Sequence, residues 1–219
     1  MSLDIHERNM IARRAAKEIA PGSMVYLGAG IPEMVADFVP DGAQVHYFFP
    51  HGFVSIGSFP KRREQPPLRR EETVPLPVGP GSPLFDSSVA FGIIRRGMLD
   101  IAFCGGLQVS AQGDLANWIL PGKKVYGIGG GSELAQSAKK VIVLMSHLNR
   151  EGDSKLVSAC TFPVTASRCV DVIITERAVI EVTAQGLLLR EVLYPYQLAD
   201  VIQGTAAPLR ISEQVLISD

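Results

Sequence analysis

MVYLGAGIPEMVADFVPDGAQVHYFF, residues 24–49, is the stretch whose reading decides the fold. Met24 to Leu27 is a short apolar run suited to a buried strand, and Gly28-Ala29-Gly30-Ile31-Pro32 turns straight into a helix. Pro32 fits a first helical turn, where its missing N–H costs nothing. Met34, Val35, Phe38 and Val39 supply one apolar face, Pro40-Asp41-Gly42 ends the helix, and Gln44 to Phe49 reads as a second strand. A strand, a covering helix and a second strand in this order call for a parallel crossover.

The flanks extend the pattern. Asp4 to Ala20 reads as a helix with Ile5, Met10, Ile11, Ala15 and Ile19 on one face, stopped by Pro21-Gly22. Asp86 is a natural N-cap for a helix through Arg96, with Val89, Ile93 and Ile94 inward and Gly97 closing it. Leu99 to Cys104, Lys140 to Met145 and Val170 to Thr175 read as strands. Ala178 to Val182 and Leu187 to Glu191 form a hairpin, Leu198 to Ile202 a short helix, and the C-terminal residues are extended. The expected fold class is α/β, with a mixed, largely parallel sheet and flanking helices in a single domain, 1–219. His51 to Gly81 is rich in proline and in clustered charge without either period, so an atypical excursion or lid is expected over about 46–81.

Composition excludes several classes. A net charge of −1 and the lack of a basic stripe with interleaved aromatics argue against nucleic acid as a partner. The longest apolar runs fit buried strands, so no membrane span is expected. Met1 to Ala20 is charged and amphipathic rather than a signal peptide. Cys104, Cys160 and Cys169 have no metal-ligand spacing and cannot all pair, which suggests a reducing, cytoplasmic setting and no metal. Cys104 ends an apolar strand and reads as a small buried hydrophobe rather than a nucleophile.

The second dense stretch is GGLQVSAQGDLANWILPGKKVYGIGGGSE, residues 105–133. It reads as strand, tight turn, a short apolar piece at Trp118, a second turn, a strand and a glycine loop. Asp114 and Asn117 suit locking the turn around Trp118, since both side chains bond local backbone readily. Ser132 suits the N-cap of the helix that follows the loop. Consecutive glycines let backbone N–H groups converge on an anion or a developing oxyanion, or simply allow close packing. Composition leaves both readings open.

Taken together, these segments resemble the β chain of the 3-oxoacid coenzyme A transferases, the group with acetoacetate-, succinyl- and 3-oxoadipate-using members. The resemblance is carried by Ile11-Ala12-Arg13-Arg14-Ala15-Ala16, Leu27-Gly28-Ala29-Gly30-Ile31-Pro32 and Leu107-Gln108-Val109-Ser110. It continues through Gly113-Asp114-Leu115-Ala116-Asn117-Trp118, Pro121-Gly122-Lys123, Gly127-Ile128-Gly129-Gly130 and Gly186-Leu187-Leu188-Leu189-Arg190-Glu191. The resemblance implies a ping-pong transfer in which a glutamate carboxylate attacks an acyl-CoA thioester to give a mixed anhydride. The CoA thiolate then returns to form a glutamyl–CoA thioester, which an acceptor acid opens. It also implies coenzyme A as a substrate rather than a permanent cofactor, and an α subunit as partner in an α2β2-like heteromer. Gly129 and Gly130 would form part of the oxyanion hole, with Gly28 and Gly30 also among the substrate-binding positions.

One position departs from the pattern. The family nucleophile sits in Ser-Glu-Asn-Gly after the second strand, and here that segment is Phe49-Pro50-His51-Gly52, with Pro50 at the glutamate position. Proline has neither nucleophile nor titratable group. Three readings follow. The chain could be a catalytically impaired pseudo-subunit or a hydrolase using activated water, with His51 the one titratable group available as its base. Another carboxylate of the excursion (Glu64, Glu71 or Glu72) could substitute. Two compensating shifts of reading frame would also leave a bounded divergence between well-matched flanks. The alternative for His51 is a loop residue packed on Phe49 and Phe53.

Overall fold

The computed structural model describes residues 3–56, 81–122, 124, 125 and 127–218. The chain begins with α1 (Ile5–Ala16), β1 (Met24–Leu27), a 3-10 helix (Pro32–Phe38), β2 (His46–Phe49) and β3 (Phe53–Ile56). Next come α2 (Ser87–Arg95), β4 (Ile101–Gly105), β5 (Gln108–Ser110), β6 (Leu115–Ala116), β7 (Ile119–Leu120) and β8 (Lys124–Val125). The remainder is α3 (Gly131–Ser137), β9 (Val141–Leu144), β10 (Leu156–Val157), β11 (Val172–Ile174), β12 (Ala178–Thr183), β13 (Gly186–Leu193), α4 (Leu198–Gly204) and β14 (Leu209–Ser218).

Nine strands form one sheet in the order β14-β13-β12-β11-β9-β4-β1-β2-β3. Its centre, β11 through β2, is parallel, while β2–β3, β11–β12 and β12–β13 are antiparallel pairings. The mixed α/β fold expected from the sequence is therefore the one adopted. Both faces of the sheet are covered, so the central strands are apolar on both sides. In β4, Ile101 and Phe103 join one core with Ile11 and Ala15 of α1, while Ala102 and Cys104 join the other with Leu115 and Val201. In β9 the alternation is the same, Ile142 and Leu144 against Val141 and Val143. A third cluster seals the β2–β3 edge with Phe48, Val54, Ile94 and Leu134.

Helix ends follow local chemistry. Asp4 and Glu7 form a reciprocal capping box at 2.8 and 2.9 Å, and Asp86 accepts the Ser88 N–H at 2.7 Å. Three local expectations change. Ser132 lies inside α3 and Gly130 precedes the helix, because consecutive glycines let the chain enter it without a side-chain cap. Ile5 and Val89 are exposed, since α1 and α2 turn narrower faces inward than their apolar residues allow. The beginning of the expected excursion is ordered as β3, paired antiparallel to β2, and the chain rejoins it through a Phe53–Leu84 bridge. Residues 57–80, with Glu64, Glu71 and Glu72, lie outside the described residues.

Candidate active site

The topology locates the crevice. From β1 the chain moves to β2 on one side, then returns through β4, β9 and β11 on the other, so the strand order reverses between β1 and β4. In open α/β sheets a ligand crevice forms at such a reversal, beyond the carboxyl ends of the strands. The turn after β1 is Gly28-Ala29-Gly30, and the turn after β4 is Gly105-Gly106.

These glycines are dictated by packing and dihedral geometry. The Gly28 N–H donates to the Phe103 carbonyl at 2.9 Å, and a β-carbon on Gly28 would lie 3.0 Å from that oxygen. Gly30 has φ +89°, a left-handed conformation that side chains resist, and its surroundings are open. Tyr26 lies beside this turn, and burial, then Cys104 and then Glu33, raise its pKa. Glu33 is thus a carboxylate near the crevice that no motif in the sequence singles out. Its only signal there is its place directly after Pro32. Cys104 is buried, and burial pushes its thiol up to about 12, so it behaves as a small hydrophobe as expected.

The hairpin tip follows β2. The Gly52 N–H closes a tight turn on the Phe49 carbonyl at 3.0 Å, placing Pro50 and His51 at its two central positions. Phe49 and Phe53 stack on each other at 4.2 Å, leaving His51 exposed rather than packed between them. The Phe85 N–H donates to the Gly52 carbonyl at 2.8 Å, and Phe85 stacks on Phe48 at 6.2 Å.

The glycine loop lies next to α2. Gly127 and Gly129 have φ +85° and +46°, and a β-carbon on Gly130 would be 3.0 Å from the Phe91 ring. A β-carbon on Gly131 would meet the Thr165 methyl at 3.7 Å. Gly129 is exposed and Gly130 partly so. The site positions are joined indirectly. Gly52 connects through Phe85 and α2 to Gly130, while Gly105 connects through Asn117 and Thr165 to Gly131.

Asp114 bonds locally to Ser110 as its residue type suggests, but Asp114 and Asn117 also tie distant segments together rather than only the turn around Trp118. Asp114 accepts from the Ser110 hydroxyl at 2.8 Å and from the Arg168 N–H at 3.0 Å. Asn117 donates to the Gly105 carbonyl at 3.0 Å. Thr165 completes this set with a 2.7 Å hydrogen bond to Asn117 Oδ1, and no spacing in the sequence marks it.

The Coenzyme A transferase family profile matches residues 8–204. The chain belongs to that family. It is 44% identical over 212 residues to the beta chain of a probable coenzyme A transferase of Bacillus subtilis, covering 96% of this chain and 98% of that one. It is 37% identical over 212 residues to one chain of a probable succinyl-CoA:3-ketoacid coenzyme A transferase of the same organism, with the same coverage of 96% and 98%. In fold it is similar to the acyl-CoA transferase YdiF of Escherichia coli O157:H7, with TM-score 0.77 and 20% identity over 100% of this chain and 44% of that one. Members of the coenzyme A transferase family use CoA as a substrate, and relatives named as beta chains imply a second, α-type subunit. Among the described residues, no helix is long and apolar enough to cross a membrane, and no His, Cys, Asp or Glu cluster suits a metal ion.

Proposed function

We propose that this chain is the β-type subunit of a CoA transferase that moves CoA between an acyl-CoA and a short 3-oxoacid, in an α2β2-like heteromer with an α-type subunit. The supporting observation is the strand-order reversal between β1 and β4, where a ligand crevice is expected, with Gly30 open at positive φ in the turn after β1. Turns free of side chains let a thioester and its developing charge approach backbone N–H groups closely. Gly129 and Gly130 contribute to the oxyanion site, and the α partner closes the crevice.

The transfer needs a carboxylate that attacks the thioester carbonyl and expels the CoA thiolate, which then returns to give the glutamyl–CoA thioester. Pro50 cannot supply it. Glu64, Glu71 and Glu72 are the candidate substitutes in the neighbouring excursion. Pro50 also supports a second reading, an impaired subunit or a hydrolase in which the exposed His51 activates water.

Co-expression with the α-type subunit, followed by acyl-CoA/3-oxoacid exchange and borohydride reduction, tests these readings. Exchange with a borohydride-generated alcohol mapped to Glu64, Glu71 or Glu72 supports transfer through a substitute carboxylate. An intact complex without exchange or such an alcohol overturns the transferase reading. Acyl-CoA hydrolysis abolished by His51→Ala would point to the hydrolase.

A further inference from the structure

We infer that Thr165 and Asn117 form a positioning clamp that fixes the β4 turn and the glycine loop relative to each other. The inference rests on the proposed crevice, and it concerns residues that do not themselves touch the reacting atoms. The Thr165 hydroxyl donates to Asn117 Oδ1 at 2.7 Å and accepts the Asn117 backbone N–H at 3.2 Å. The Thr165 backbone N–H is anchored on the Leu115 carbonyl at 2.6 Å, and the residue is 6% exposed. Asn117 then uses its other amide end, Nδ2, on the Gly105 carbonyl at 3.0 Å.

This chain of bonds constrains the crevice on both sides. A peptide unit is planar and trans, so pinning the Gly105 carbonyl on Asn117 also fixes the direction of the Gly106 N–H. Gly106 cannot relax by moving inward, because a β-carbon there would already meet Val143 Cγ1 at 2.6 Å and Met145 Sδ at 2.9 Å. A β-carbon on Gly105 would lie 4.0 Å from the Ala29 carbonyl oxygen, so the fixed segment borders the turn after β1 at the β1/β4 reversal. On the other side the Thr165 methyl lies alongside Gly131, where it would meet a β-carbon at 3.7 Å, directly after Gly129 and Gly130. One buried side chain therefore relates the two segments, its hydroxyl reaching the Gly105 peptide through Asn117 and its methyl bordering the glycine loop proposed for the oxyanion site.

Thr165→Val keeps shape and methyl contact but removes both hydroxyl hydrogen bonds, whereas Thr165→Ser keeps the hydroxyl. In the α-containing complex, Thr165→Val is expected to lower kcat roughly 10- to 100-fold while KM for acyl-CoA moves less than about threefold, the pattern of misplacement rather than lost binding. Thr165→Ser is expected to recover most of the rate. By amide hydrogen exchange on the same complex, Thr165→Val speeds exchange at 105–106 at least about tenfold and leaves β12 and β13 unchanged. Equal behaviour of the Val and Ser variants, or faster exchange spread evenly over the chain, overturns the clamp. The exchange measurement decides this even if the native complex transfers no CoA, so failure of the proposed function and failure of the clamp give different results.

Discussion

The carbonyl oxygen of Phe85 lies 2.0 Å from the point that a β-carbon on Gly52 would occupy. Gly52 also has φ +110°, so both backbone conformation and space exclude a side chain. The Phe85 N–H, donated to the Gly52 carbonyl at 2.8 Å, holds the Pro50-His51 tip against the segment leading into α2. Gly52→Ala is therefore expected to cost at least about 2–3 kcal/mol, combining strain at positive φ with displacement of a backbone carbonyl. Urea unfolding measures it, and a loss below about 0.5 kcal/mol would show that the tip yields freely.

A tip held in this way makes residue 50 a defined pedestal for a side chain. Pro50→Glu in the α-containing complex should raise CoA exchange at least about tenfold over the native chain, with borohydride reducing the thioester at residue 50 to the side-chain alcohol and releasing CoA. An intact complex with unchanged exchange would show that the tip does not address the crevice.

Arg14 connects α1 to the far side of the sheet, with Nε 2.6 Å from Glu191 and Nη1 2.7 Å from Glu18. The Glu191 side chain is only 7% exposed, so removing Arg14 takes a 2.6 Å charge-assisted hydrogen bond from a buried carboxylate. Arg14→Met should cost about 3–5 kcal/mol by denaturant unfolding, and Arg14→Met with Glu191→Leu distinctly less than the two single changes added.

His147 predicts a pH dependence. It is fully buried between the Thr175 and Thr205 hydroxyls, each at 3.0 Å, and burial with the Arg177 charge nearby drives its pKa down to about 3. The unfolded chain binds this proton below about 6.5 and the folded chain does not until about 3. His147's contribution to stability is therefore complete above about pH 6.5 and falls as pH drops through that window, with a slope approaching about 1.4 kcal/mol per unit. Unfolding free energies at pH 7, 6 and 5 check it. His147→Gln should remove one proton's worth of slope, and an unchanged slope would assign the acid sensitivity to other groups.

Regular elements were legible wherever period and punctuation agreed. Met24–Phe49 announced a parallel unit because its strands are mostly apolar and its turns carry Gly and Pro, and both strands formed. β3 was not legible, because four residues beside a proline-rich, charged stretch carry no usable period. The exposure of Ile5 and Val89 was hidden for another reason. Periodicity marks which residues share a helix face, but the neighbour decides how wide a face is covered.

The same division holds for the site. By itself the sequence determined the family, the glycine positions and the absence of a carboxylate at Pro50, because motifs and residue types are local properties. Only the tertiary structure decided that Gly28 and Gly105 flank the reversal between β1 and β4, or that Phe85 excludes a side chain at Gly52. Only the fold brings Thr165 onto Asn117, 48 positions away. A hydrogen bond between distant residues leaves no period in the chain, since it depends on how packed strands and loops return to one another in space.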